Sequence, residues 1–262
     1  MKKDSSQHVH GHRHEHGHEH GHAAKTLTIR SHSGLSGDMM LAGLICMNGL
    51  DQEVLDQKLA SIMPELASSV RLIRSEIGGI GGWSAQVSLP HQHEHRTLAD
   101  ILALIESSGM TAGAKKHAAA TFTLLAQAES RVHGARPEDI CFHEVGALDS
   151  ILDICLNCEL FLALSPERFV VSPLPMADGS IRCAHGVLPA PAPAVLELLD
   201  GVPVRPFAGS GETVTPTAIA LLKALGAEFG PWPAMNIEKH ALVYGTRIFE
   251  NAANGAVFAF GS

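Results

Sequence analysis

The chain has 262 residues, 45% of them hydrophobic, and a formal charge of -8 with neutral histidines. That apolar content can bury a sizeable core and argues against disorder away from the ends, and scattered Lys and Arg at net negative charge exclude DNA or RNA as partners. The longest apolar stretch, near Ile151 to Leu164, is broken by Asp153, Asn157 and Glu159, so it reads as a core helix and no membrane span is expected.

Composition changes sharply near Ala23. Before it, eight of 22 residues are histidine, separated mostly by Gly and Glu, and no core can form there; residues 1–24 read as a disordered tail. A strand is predicted over Thr26–Arg30. The loop Ser31–Ser36 then leads into a helix ending near Met47, and a second helix covers about Gln52–Ile62. Val70–Ile77 and Trp83–Leu89 alternate like paired strands, joined through Gly78, Gly79, Gly81 and Gly82. A polar loop, His91–His95, precedes a helix over Leu98–Ser107, and further helices are predicted over about Ala112–Val132 and Glu144–Leu164. Pro189, Pro191 and Pro193 lead into a helix over Ala194–Leu199. The segment Gly209–Thr215 leads into a helix over Pro216–Leu225, with Thr215 as its cap and Pro216 in its first turn. Two last strands are expected at Ala241–Thr246 and Ala256–Phe260. Helix and strand signals interleave without strict alternation. The expected class is therefore α+β: a mixed sheet with packed helices, forming one main domain over residues 25–262.

Several segments carry chemistry. His8, His10, His12, His14, His16, His18, His20 and His22 repeat every second residue, so an extended chain presents imidazoles on one side. Imidazole suits Ni, Zn and Cu, and such a tail could hold several ions in quick exchange; an expression tag would look the same. His91, His93 and His95 repeat that spacing away from the terminus. His143 and Glu144 open the predicted helix whose Asp149 and Asp153, four apart, share a face and need a cation, a cap or a basic partner. Cys183 and His185 place soft and imidazole donors in one loop. Ser33-Gly34-Leu35-Ser36-Gly37-Asp38 and the segment from Gly209 through Thr213 and Thr215 to Thr217 are turns running into helix starts. Either could approach a phosphate, although both lack the lysine of a P-loop. Cys155 and Cys158, inside a helix and without a second pair, are expected to pack in the core. With Cys46, Cys141 and Cys183 they make an odd, scattered set that suits a reducing cytoplasm, and no apolar targeting segment precedes them.

Taken together, SGLSGDMMLAGL (33–44), HRTLADI (95–101), FHEVGALDSILDI (142–154), SPLP (172–175), CAHGVLPAPAPAVLELL (183–199) and ETVTPTAIALL (212–222) resemble the nickel-insertion (LarC) protein family in content and order. The resemblance spans residues 25 to about 250. Two stretches depart from it: Arg30 and Ser31 stand where the family commonly has Asp-Cys, and YGTRIFENAANGAVFAFG (244–261) matches only loosely. The resemblance implies insertion of Ni(II) into pyridinium-3,5-bisthiocarboxylic acid mononucleotide, giving the nickel-pincer nucleotide cofactor of lactate racemase. It also implies CTP with Mg or Mn, used through a C-terminal domain that this chain lacks, and hence a companion chain; a cytoplasmic homo-oligomer is expected. Under that activity the base would be His143 or Glu144. Cys183 and His185 would lie near the metal. Ser33, Gly34, Ser36, Gly37, Asp38, Thr213 and Thr215 would hold phosphate, and Asp149 with Asp153 a second cation. Two rival readings are a non-catalytic nickel carrier or store, which composition alone supports equally, and a phosphohydrolase built on the two glycine loops.

Overall fold

A computed structural model of the chain describes residues 24–89, 96–142, 146–183, 186–250 and 252–262. In chain order, β1 (Thr26–Ser31) is followed by α1 (Gly37–Asn48), α2 (Gln52–Ile62), β2 (Val70–Ile77), β3 (Ile80–Val87), β4 (Arg96–Thr97), α3 (Leu98–Ser107), α4 (Ala112–His133), β5 (Cys141–Phe142) and α5 (Leu148–Leu164). Then come β6 (Arg168–Val171), β7 (Leu174–Met176), β8 (Ser180–Cys183), β9 (Gly186–Pro189), α6 (Pro193–Leu198), β10 (Val204–Pro206), α7 (Pro216–Ala224), β11 (Glu228–Phe229), β12 (Ile237–Val243) and β13 (Ala256–Gly261).

The main sheet has seven strands in the order β11-β6-β1-β13-β12-β3-β2. Its pairings are mixed. β11, β6 and β1 run parallel, β13 runs antiparallel to both β1 and β12, β12 is parallel to β3, and β2–β3 is an antiparallel hairpin. This is the expected α+β architecture.

The reason for the layering lies in α1. Nine of its twelve residues are buried, and a helix that is apolar on nearly every side must be covered all round. It lies between the sheet strands β3, β12 and β13 and helix α5. Beyond it, α5 packs on α4, which in turn packs on α6 and α7. The outer helices are amphipathic. α2 buries Leu55, Leu59 and Ile62, and α4 buries Ala114, Ala118, Phe122 and Leu125, both at helical spacing. Helix α3 starts on a capping box, in which Thr97 and Asp100 satisfy each other's backbone N–H.

Three boundaries differ from the sequence expectation. The hairpin turns at Gly78 and Gly79, both in the left-handed region (φ 59° and 79°), so Gly81 and Gly82 belong to β3 and that strand begins at Ile80. Strand β12 covers Ile237–Val243 instead of 241–246, because it pairs along the whole length of β13. Helix α5 begins at Leu148, not near Glu144. Gly146 is held back against the β4–β5 ribbon: its carbonyl accepts from Arg96 Nη1 at 2.8 Å, and a Cβ on it would stand 2.8 Å from the Phe142 carbonyl oxygen. The short strands β4 to β6 were not foreseen, and β7 to β11 fall in the C-terminal third, where the sequence mixes short strands with Pro-rich loops. Among the described residues no helix is long and apolar enough to cross a membrane.

Candidate functional site

The two glycine loops, read separately in the sequence, are joined in the fold. Leu35 and Val214 form a parallel bridge: Leu35 N–H donates to Thr213 O at 3.0 Å, and Thr215 N–H donates to Leu35 O at 3.1 Å. Only glycine fits at position 34, where a Cβ would stand 2.0 Å from the Thr213 carbonyl oxygen. The polar side chains here are committed to holding the loops. Ser31 Oγ donates to Gly34 O, Ser33 Oγ accepts from Gly255 N–H at 3.1 Å, and Thr213 Oγ1 donates to Pro175 O at 2.6 Å. Thr215 caps α7 as expected, accepting from Ala218 N–H at 3.3 Å, with Pro216 in the first turn. The bridge sets the starts of α1 and α7 side by side. A Cβ on Gly37 would meet the Thr217 methyl at 3.3 Å.

Helix α5 closes the third side with acids. The same imagined Cβ on Gly37 would stand 3.0 Å from Asp153 Oδ2, so the Asp153 carboxyl reaches the start of α1. Asn157, one turn further along α5, donates from Nδ2 to Gly37 O at 3.1 Å and to Asp153 O at 2.8 Å. Asp153 Oδ1 and Asn157 Oδ1 are enclosed and have no hydrogen-bond partner among the described residues. Burial first, and then the charges of Asp38 and Asp149, push the Asp153 carboxyl up from 3.8 to about 8. Asp38 itself, in the first turn of α1, accepts from the Ser36 hydroxyl. Asp149 is exposed and accepts from Ser150 N–H at 2.8 Å. Of the two acids expected to face inward, then, only Asp153 does so.

A contrast within the same helix shows how unusual this is. Glu159 is also buried, but it accepts from Thr111 N–H and Thr111 Oγ1 and pairs with Lys58 at 3.5 Å. A buried acid with partners holds the fold together; one with an orphaned oxygen and two further acids nearby is suited to a ligand or a proton. Among the described residues no three His, Cys, Asp or Glu side chains are grouped as a metal shell. A cation held here by carboxylates would keep coordination positions open for water or a substrate.

The other expected residues separate into groups. Cys183 is half-buried and ends strand β8, opposite Gly186, so it belongs to a hairpin and not to an open loop. His143, Glu144, His185, His91, His93, His95 and the tail histidines His8 to His22 lie outside the described residues. The residues bordering two of those stretches face each other, since β4 and β5 pair Arg96 with Phe142. Cys155 and Cys158 are buried in α5 as expected. Burial holds the Cys155 thiol at about 12 and the Cys158 thiol well above its ordinary value, which makes neither a metal-ready thiolate. Asn157 was missed, and Thr217 was included only as the end of the second glycine loop. The signal for Asn157 was its place four residues after Asp153 in the 149-153-157 row.

The chain is similar to known proteins over most of its length. Residues 27–258 match the family described as nickel insertion protein. Several curated relatives carry the name pyridinium-3,5-bisthiocarboxylic acid mononucleotide nickel insertion protein, among them the following. The one from Desulfitobacterium hafniense is 40% identical over 208 residues, covering 79% of this chain and 51% of its own length. That from Nocardioides sp. is 37% identical over 229 residues, 87% of this chain and 58% of its own. That from Staphylococcus saprophyticus is 35% identical over 224 residues, 86% of this chain and 57% of its own. The chain thus spans between half and three-fifths of the length of these relatives. No solved structure matches it. With nearly all of its described length inside the match, the chain belongs to the nickel insertion protein family.

Proposed function

We propose that this chain takes part in inserting Ni(II) into pyridinium-3,5-bisthiocarboxylic acid mononucleotide, the substrate named for its relatives, to give the nickel-pincer nucleotide cofactor of lactate racemase. The observation that carries the reading is the enclosed Asp153 Oδ1, which has no partner among the described residues, on a carboxyl that reaches the start of α1.

Two sulfurs of the substrate grip the Ni(II) ion, which is cargo. The ring carbon between them then forms a bond to nickel and releases its proton to a base. His143 or Glu144 is the proposed base. Asp153, with the exposed Asp149, is proposed to hold a cation beside the substrate, its other coordination positions left to water or substrate. A carboxyl near 8 is neutral in the empty site at neutral pH and ionises when the cation enters, so the site is not left with two bare charges between turnovers. The positive end of α1 and the loop of Ser33, Gly34, Ser36, Gly37, Thr213 and Thr215 are proposed to approach the substrate's anionic groups. Cys183 and His185 are proposed to stand near the nickel. CTP with Mg or Mn is assigned to the part of the relatives beyond this match, supplied by a companion chain.

The test is formation of the nickel-pincer nucleotide in vitro from substrate and Ni(II), with and without CTP and the companion. His143→Ala or Glu144→Gln is expected to lower the rate roughly 100-fold or more in chain that stays folded. Near-normal rates in both variants would reject that base.

A further inference from the structure

We propose that a second site, a cleft at the carboxyl ends of β1, β6 and β11, binds the phosphate monoester of a mononucleotide through Arg30 and Arg205. The three strands are parallel, and the chain leaving them lines the cleft: Arg30, Ser31 and His32 from β1, Ser172 just after β6, and Gly230 to Trp232 just after β11. Arg205 closes it from β10. The cavity is about 810 Å³, large enough for a mononucleotide, and among the described residues no acidic side chain lines it. In open sheets, ligands collect outside the carboxyl ends of parallel strands where the topology changes direction, and β1 lies between a parallel and an antiparallel neighbour.

Among the described residues nothing compensates the charge in the cleft. Arg30 is 6% exposed, yet it makes no ion pair among the described residues. Its Nε donates to Ile29 O, and Nη1 and Nη2 both donate to Gly230 O, each at 3.0 Å. Arg205 Nη2 donates to Ser31 O at 2.9 Å and to His32 O at 2.6 Å. Carbonyls orient both guanidinium groups without neutralising them, and each keeps N–H donors for an incoming oxyanion. Burying cations without a counter-charge is costly, and an anion relieves that cost. Ser172 Oγ accepts from Ser31 N–H at 3.1 Å, which leaves its hydroxyl proton free to donate. Burial, and after it the charge of Arg205, holds His32 below its ordinary value; an anion would raise it and add a third donor. Trp232 is half-exposed, with the Arg30 guanidinium 5.5 Å from its ring centre, and gives the cleft a flat wall for a heterocycle.

The phosphate assignment stands on the cleft alone. The identity of the base, a pyridinium, rests on the nickel-insertion reading. Calorimetry on the full chain without nickel tests both parts. The probes are nicotinic acid mononucleotide, its phosphate-free riboside and cytidine monophosphate, with inorganic phosphate as competitor. The mononucleotide is expected to bind, phosphate to compete, and the riboside to fail. Arg205→Gln should weaken binding roughly 30-fold. If that variant melts early, Trp232→Ala, on the exposed wall, should weaken the mononucleotide several-fold. Equal binding of riboside and mononucleotide, normal binding in both variants, or no binding of any phosphomonoester would overturn the site. Equal binding of cytidine monophosphate would keep the phosphate site and count against the pyridinium substrate.

Discussion

Replacing Asp153 by Asn should change how stability depends on pH. In the folded chain the carboxyl titrates near 8 instead of 3.8, so between those values the folded state holds a proton that the unfolded state has released. That contribution to stability is fully present below pH 3.8 and is lost as pH rises through 8. Between pH 5 and pH 8 the loss from these two values is about 4 kcal/mol, and water entry with local relaxation reduces it to about 2–4 kcal/mol. For a chain of this size that corresponds to a thermal midpoint difference of roughly 5–10 °C. Asp153→Asn keeps the shape of the side chain and cannot ionise. Melting of chelator-treated wild type and variant from pH 5 to pH 8 is the assay. The midpoints should be similar at pH 5, and the variant should melt higher at pH 8. Other titrating groups are common to both proteins and cancel in the difference. Parallel pH profiles would refute the enclosed carboxyl.

Gly34→Ala should lower the denaturant midpoint by about 1–3 kcal/mol in stability terms, because the added methyl meets the Thr213 carbonyl and parts the two loops; an unchanged midpoint would contradict the bridge. Deleting residues 1–24 should lower the number of Ni(II) ions bound, measured by metal analysis after gel filtration, and leave the melting midpoint nearly unchanged; loss of folding would sink the assignment of a metal-binding tail. The chain alone should bind CTP weakly in calorimetry with Mg or Mn. Tight binding would move the CTP site into the folded domain described here.

The parts of the fold that were legible in sequence are those with a strong period or a strong turn. Helix α4 repeats its buried residues every three or four positions, and Gly78-Gly79 between alternating runs marks a hairpin. The short strands β6 to β11 carry two to four residues each, several with proline, which is too few for alternation to show. The start of α5 was misplaced because its cap, Ala147, offers no side-chain bond, so nothing local marks the boundary. The acids of the site were visible from their spacing of four. Which of them is enclosed depends on α1 crossing at Gly37, and that is a tertiary fact. The arginine cleft had no sequence signal, since Arg30, Arg205 and Trp232 meet only through a sheet order that the short strands conceal.

The most direct test is the mass of the nucleotide product. Full chain, companion chain, CTP, Mg or Mn, Ni(II) and the bisthiocarboxylated pyridinium mononucleotide are incubated together, and the nucleotide is then released and weighed by mass spectrometry. The account predicts a species that has gained one nickel and lost the ring proton, and that is absent when this chain is left out. Nickel bound to the protein with the nucleotide unchanged would contradict it and leave a carrier in its place.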